Sequence, residues 1–523
     1  MGTSVWKGVQ YAYSLALLIF STIIVMALIF SENTKVASDV HPAFAFVLIW
    51  VALLWLSMVE GGQASLVGLP PIDRELYKES HPITHQICEI AHKGDNLNRY
   101  LMGRQFMVLA LVFTTNMCGG PLENADVLGL PSIVNKIFLD SGMAMFFMAA
   151  MIGQLAAQVN ASRCMLDYIN THFMTFTLYV ANAIEASGLL HASYLIQSIL
   201  GLLGSPTESF EPPRTGMTFV LHWARVAMSV AILAFAFAVT LSALFQGKTT
   251  MWESVPSFAA VVLFFVFMSI VGMLEGMQIA FFAVAKMTPE ERASRPWAKR
   301  TCDLLFKGSG RNLPGFMVGR QMCVTLCFFI IARVTTVKLE DGETNIFGVS
   351  NQLQEFFNTG LLGAIITTIV GSITWQLAAS AFPLAFLSTP VTYVLLRICL
   401  LLEATGLCSG SWVIAKIHKS FAHFKFDEVY VGTAEERAAN KHSDGDYNVK
   451  PGHMYPGVPV MPPTTEYRFT LDEIDTLQAE LKEHKEEIEE RIRQLENQRL
   501  RLMNGATSGK YDKTEDVESG SDS

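Results

Sequence analysis

The chain has 523 residues, with 38 basic and 47 acidic side chains for a formal charge of −9; 51% of residues are hydrophobic and 16% are charged. That balance excludes a disordered chain, a nucleic-acid binder with a basic surface and a small disulfide-stapled module. From Lys416 onward, 15 basic and 22 acidic side chains carry −7 of the total, so the first 415 residues are far less charged than a soluble chain and belong in a bilayer.

Taken in chain order, ten apolar runs are long enough to cross roughly 30 Å of hydrocarbon at about 1.5 Å per residue. They are 9–31, 41–60, 101–118, 136–158, 173–203, 217–246, 255–285, 315–338, 353–379 and 384–415. The first opens without a cationic segment and has no small-residue cleavage site, so it reads as a retained span and not a signal peptide. Eight cysteines are scattered in or beside these runs with no CxxC pair, and read as small buried hydrophobes. Cys323 and Cys327 share a helix face but have no further metal ligands in sequence.

After the last run, Lys416, Lys419 and Lys425 lie against the membrane, which by the positive-inside rule makes the tail cytoplasmic; an even number of spans puts the N-terminus there too. Residues 416–469 read as a cytoplasmic linker, polar and flexible over 427–467. Residues 470–504 read as a coiled-coil helix, with Thr470 and Glu473 at capping-box spacing and Ile474, Leu481, Ile488, Leu495 and Leu502 every seven residues. Leu477 is followed at the second core position by His484, Arg491 and Gln498, so this helix serves either as a homo-oligomeric coil or as a charged helix on a cytoplasmic partner. Residues 505–523, acidic and rich in Ser and Gly, read as a disordered tail.

Motifs recur in the membrane part at a nearly constant offset. Glu60-Gly61-Gly62-Gln63 matches Glu275-Gly276-Met277-Gln278, and Gly103-Arg104-Gln105 matches Gly319-Arg320-Gln321. Leu139-Asp140-Ser141-Gly142 matches Phe357-Asn358-Thr359-Gly360, and Glu185-Ala186-Ser187-Gly188 matches Glu403-Ala404-Thr405-Gly406. Four pairs in the same order predict a duplication: residues 1–210 and 211–415, five spans each. An odd number of spans per copy predicts inverted repeats. The expected fold is therefore all-α, a polytopic membrane protein of about ten transmembrane helices in two inverted five-helix repeats, plus the C-terminal coiled-coil helix. Against this, the connector 286–313 carries seven basic and three acidic residues, yet that topology puts it outside.

A carboxylate or guanidinium inside an apolar run is costly unless it faces a cavity or a partner. Glu60, Gln63, Arg104 and Gln105, with Glu275, Gln278, Arg320 and Gln321, therefore predict a solute site rich in hydrogen bonds and almost without net charge, suited to a small neutral polyhydroxylated solute. Helix-locking Glu–Arg pairs are the alternative reading. Glu185, Ser187, Glu403 and Thr405, with Asp140 and Asn358, offer hard oxygen ligands suited to Na⁺, or else pack spans together. Gln154 and Gln376, in GQLAAQ and WQLAAS, lie mid-span and either line the path or bond between helices.

These residues give the chain a resemblance to the diatom silicon transporters. Its carriers are the paired EGxQ and GRQ motifs at Glu60–Gln63, Gly103–Gln105, Glu275–Gln278 and Gly319–Gln321, the ten runs, the C-terminal coiled-coil segment and Cys164-Met165-Leu166-Asp167. The resemblance covers essentially the whole chain. It implies sodium-coupled uptake of silicic acid across the plasma membrane, with no cofactor beyond Na⁺ as the coupling ion. One Cys and one Asp three residues apart make a poor zinc site, so no metal is expected at Cys164–Asp167. Silicic acid, a weak acid with four hydroxyls in a tetrahedron, suits a cage of Gln and Glu groups supported by Arg. The rival readings are a passive channel-like pore for silicic or boric acid, and a membrane scaffold recruiting partners through residues 470–504. No nucleophile elbow or phosphate loop points to an enzyme.

Overall fold

The computed structural model describes residues 2–437 apart from 35, 38–39, 123–124, 141, 196–214, 250, 253, 308–311, 338, 340–343, 359 and 434–435. The predicted coiled-coil helix 470–504, the acidic tail 505–523 and the linker beyond 437 lie outside the described residues. The described residues form no strand; two isolated bridges, Thr34 with Pro121 and Thr249 with Val337, tie loops together.

The principal helices are α1 (Gly2–Phe30), α2 (Pro42–Gly68), α3 (Pro82–Ala91), α4 (Asn96–Gly119), α5 (Met143–Ala161), α6 (His172–Ala186), α7 (Gly216–Phe245), α8 (Ser257–Ala285), α9 (Pro296–Leu305), α10 (Asn312–Thr335), α11 (Leu361–Ala381), α12 (Pro390–Ala404) and α13 (Gly410–Phe421). Among the described residues eight of these, α1, α2, α4, α5, α7, α8, α10 and α11, are long and apolar enough to cross a membrane. Every residue of α2 from Val59 to Gly68 is buried, as is every residue of α8 from Leu274 to Phe282. The first halves of the same helices expose Val47, Val51, Leu54, Phe258, Val262 and Val266. A helix apolar all round is thus lipid-facing in one half and core in the other. The two core halves share one apolar cluster that joins both copies of the repeat.

The fifth and tenth predicted runs do not continue as single helices. Each breaks at its Glu-Ala-Ser/Thr-Gly motif: α6 stops at Ala186 before Gly188 (φ +85°), and α12 stops at Ala404 before Gly406 (φ +83°). Glycine in the left-handed region closes a helix without Cβ strain. The Ser187 and Thr405 hydroxyls donate to the carbonyls of Ile184 and Leu402, satisfying the helix ends. After the second break, α13 runs back beside the end of α5, where Asn160 Nδ2 donates to the Ala415 carbonyl. Residues 390–421 are therefore a re-entrant hairpin. In the first half, the part of the run beyond 195 lies outside the described residues.

This changes the predicted topology. The C-terminal ends of α2 and α8 lie side by side, so that a methyl on Gly68 would meet the Phe282 carbonyl at 3.3 Å. Just beyond α8, Lys286 pairs with Asp427 and Glu428, each at 3.0 Å; Asp427 Oδ1 accepts from the Leu166 amide, and Asp167 lies 3.0 Å from His81. Connectors after α2, α5, α8 and α13 thus share one face. Two crossing helices that end together run in the same direction, so the copies are parallel and not inverted. The count explains it: among the described residues the first copy has four crossing helices, an even number. The basic connector 286–313 then lies on the face of Lys416, Lys419 and Lys425, and its conflict with the charge rule disappears.

A second correction concerns the linker. Its start, residues 425–437, is docked on that connector face: Lys425 N–H donates to Asp167 Oδ2, Asp427 and Val431 are buried, and Arg437 donates to the Lys286 carbonyl.

Candidate functional site

The buried halves of α2 and α8 carry Glu60, Gln63, Glu275 and Gln278, and the adjacent α4 and α10 carry Arg104, Gln105, Arg320 and Gln321. The approach of α4 to α6 and of α10 to α12 needs glycine. At Gly103 a Cβ would collide with the Ala181 carbonyl, and at Gly319 with the Cys399 carbonyl. This contact, repeated in both copies, sets Arg104 and Arg320 against the carboxylates.

Arg104 Nη2 lies 2.8 Å from Glu60 Oε1, and Arg320 Nη1 donates to Glu275 Oε1 at 2.7 Å. The remaining carboxylate oxygen takes a hydrogen bond from an amide in each copy. Gln158 Nε2 donates to Glu60 Oε2 at 2.8 Å, and Gln376 Nε2 to Glu275 Oε2 at 2.9 Å. Arg104 also donates to Gln105 Oε1, and Arg320 to Gln321 Oε1. Gln376 Nε2 reaches Gln105 Oε1 at 3.3 Å as well, so one polar chain runs Gln158–Glu60–Arg104–Gln105–Gln376–Glu275–Arg320–Gln321 across both halves. The two ion pairs leave no net charge.

Both ion pairs and their amides are buried, Arg104 and Arg320 to 2% exposure, while Gln105 and Gln321 keep partial exposure at the edge of the network. Several buried polar atoms have no partner among the described residues: both amide atoms of Gln63, Nε2 of Gln278, Oε1 of Gln158 and Gln376, and Nε of Arg104 and Arg320. Such atoms cost about 1–3 kcal/mol each when left unpaired, and a ligand rich in hydroxyls is one way to satisfy them.

The structure thus brings Glu60, Arg104, Gln105, Glu275, Arg320 and Gln321 into one network. Gln63 and Gln278, one helical turn on from the carboxylates, are buried beside it. Gln158 and Ser372, which accepts from Gln376, were missed by the sequence reading. Matching GQLAAQ to WQLAAS paired Gln154 with Gln376, one turn out of register; the offset of 218 that relates Gly142 to Gly360 pairs Gln158 with Gln376 and Gln154 with Ser372. Both amides follow a π-helical stretch, Ala149–Leu155 and Thr367–Ile373, that rotates the following turn toward the carboxylate.

The predicted ion ligands are dispersed. Glu185 is buried at the first break, where it accepts from Tyr194 O–H and lies 3.5 Å from His191 Nε2. Glu403 is half-buried at the second, near Gly315. Ser187 and Thr405 are exposed and donate to their own helix ends. Asn358 is exposed and accepts from Gln354 on its own helix, and the side chain of Asp140 lies outside the described residues. No group of three or more metal-ligating side chains occurs among the described residues; Asp167 instead holds His81, Tyr430 and the Lys425 amide.

A family model described as Silicon transporter matches residues 2–519, essentially the whole chain. No curated protein and no solved structure matches.

Proposed function

We propose, from the premise that the chain belongs to the silicon transporter family, that it takes up silicic acid by alternating access, with the buried Glu–Arg–Gln network between its two halves as the solute site. The family and the eight apolar helices make it a multi-pass membrane transporter for silicon, a role of transport and not of catalysis. The observation that carries the finer reading is the continuity of the network. Amides from both copies converge on it, and Gln63, Gln158, Gln278 and Gln376 each keep a buried polar atom without a partner among the described residues. Two ion pairs that only locked helices would need none of these.

A neutral tetrahydroxy acid would donate to the amide and carboxylate oxygens and accept from the amide and guanidinium N–H groups. It would enter beside the partly exposed Gln105 and Gln321 and displace the long Gln376–Gln105 bond. The parallel halves would rock about an axis along the membrane normal. Na⁺ coupling is part of the proposal: Glu185 and Glu403, at the helix breaks, would bias the outward-open state when cation and solute are both bound. The basic connector face would be cytoplasmic, with both termini, in the plasma membrane.

The test is uptake of silicic acid by the purified chain in proteoliposomes, with and without an inward Na⁺ gradient. Saturable uptake stimulated by the gradient supports the proposal. Non-saturating flux indifferent to Na⁺ selects a passive pore, and normal flux after Gln105→Ala with Gln321→Ala removes the network from the solute path.

A further inference from the structure

The second copy of the repeat carries a cavity on the connector face. It has a volume of about 550 Å³ and lies between α9 and the start of α12, lined by Trp297, Arg300, Asp303, Lys307, Tyr393 and Val394 among others. Arg300 lies over the Trp297 ring at 5.0 Å, and Trp297 and Tyr393 rings meet at 6.3 Å. Arg300 and Lys307 are exposed; Asp303 is the acidic residue of the lining, leaving a net positive charge. The positions that correspond in the first copy, at offsets of 214 and 218, are Ile83, Gln86, Lys93 and Thr175, with neither the aromatic pair nor the arginine. The fold therefore does not require this aromatic and basic lining.

Its surroundings indicate the ligand. Val391, Val394, Ile398 and Leu401 of α12 are all exposed, at 50, 53, 41 and 71%, and form one helical stripe rising into the membrane from the cavity. Val394 belongs to both the cavity and the stripe. A basic, aromatic-walled pocket continuous with a bare apolar stripe matches a molecule with a phosphate head and hydrocarbon tails. The N-terminus of α12 opens at Pro390 in the lining and adds its positive dipole end. We infer that this cavity binds the headgroup of an anionic phospholipid, whose acyl chains lie along α12.

The probe is phosphatidylglycerol, compared with phosphatidylcholine of the same chains, added to the full-length protein in neutral detergent and read by native mass spectrometry. Phosphatidylglycerol should be retained well above phosphatidylcholine. Arg300→Gln with Lys307→Gln should cut that retention roughly tenfold or more, from the worth of two basic groups near an anionic surface. Trp297→Ala should also weaken it. Lys299→Gln with Lys416→Gln, which removes the same charge from exposed positions on the same face, should leave it unchanged. Equal loss in that control would mean diffuse attraction, and equal retention of both lipids would overturn the assignment. Displacement of the lipid by glycerol 3-phosphate at millimolar concentration would transfer the site to a soluble phosphate ester. A thermal unfolding curve for each variant separates lost binding from lost fold.

Discussion

Gln376, in the second half of the protein, donates through Nε2 to Oε1 of Gln105 in the first, 3.3 Å away. The same nitrogen lies 2.9 Å from Glu275 Oε2 and 3.1 Å from Ser372 Oγ. An amide has two hydrogens for these three acceptors, so the bond between the halves is the weakest and the first to be exchanged for a solute hydroxyl. Gln376→Ala should lower silicic acid uptake roughly tenfold or more, since leaving a buried carboxylate oxygen short of a donor costs about 1–3 kcal/mol. Gln105→Ala and the double variant complete a cycle. Losses that simply add would show that the two residues do not act together.

The ion pairs should separate folding from transport. Arg320→Met leaves Glu275 buried without its counter-charge, at a cost of about 3–5 kcal/mol, and should sharply reduce protein recovered from the membrane. Adding Glu275→Gln removes the stranded charge and should restore abundance. Uptake should stay low in the double variant, because the solute would still lack the guanidinium and the carboxylate. Recovery of both abundance and uptake would reduce the pair to a helix lock.

A Cβ added at Gly319 would collide with the Cys399 carbonyl, whereas one at Gly315, one turn earlier, has its nearest neighbour at an ordinary 3.6 Å. Gly319→Ala should therefore force α10 from α12 and cost roughly 1–3 kcal/mol or more, while Gly315→Ala should be tolerated. Thermal unfolding in detergent checks the contrast. A Gly319→Ala protein as stable as the parent would mean that the helices separate freely.

The duplication was legible because the chemistry of each copy, EGxQ and GRQ, survives as short identical strings. Its handedness was not. Hydropathy over 384–415 sums the two limbs of a hairpin into one long apolar run, and the break at Thr405–Gly406 looks like one polar interruption. Counting the equivalent fifth run, 173–203, as a crossing reversed the second copy; the seven basic residues of 286–313 carried the contrary signal. Gln158 escaped for a related reason. The local string GQLAAQ aligns best with WQLAAS one turn out of register, and only the long-range offset of 218 assigns the right amide to Glu60.

The docked segment 425–437 should respond to acid through Asp167. Burial would raise the Asp167 carboxyl, but the His81 contact, the Lys425 amide and the Tyr430 hydroxyl outweigh it and hold its pKa below the usual carboxylate value. A depressed folded pKa gives stability that is complete above the unfolded value of about 3.9 and is lost as pH falls through the folded one. Hydrogen exchange over 425–437, corrected for intrinsic rate, should stay slow down to about pH 4 and quicken below it. Asp167→Asn should quicken it at every pH. A transition near pH 6 would assign control to a different group.

Gln63 offers the sharpest discrimination, because both of its amide atoms are buried without a partner among the described residues. Replacing an unsatisfied buried amide by an apolar side chain of similar size removes a desolvation cost of about 1–3 kcal/mol. Gln63→Leu should therefore raise thermal stability in the absence of silicic acid. If the amide is kept for the solute, the same variant should lose uptake and lose the stabilisation that silicic acid gives the parent protein. Gains in stability with uptake unchanged would place Gln63 outside the solute path, and a loss of stability would show that its polar atoms are needed to hold the fold.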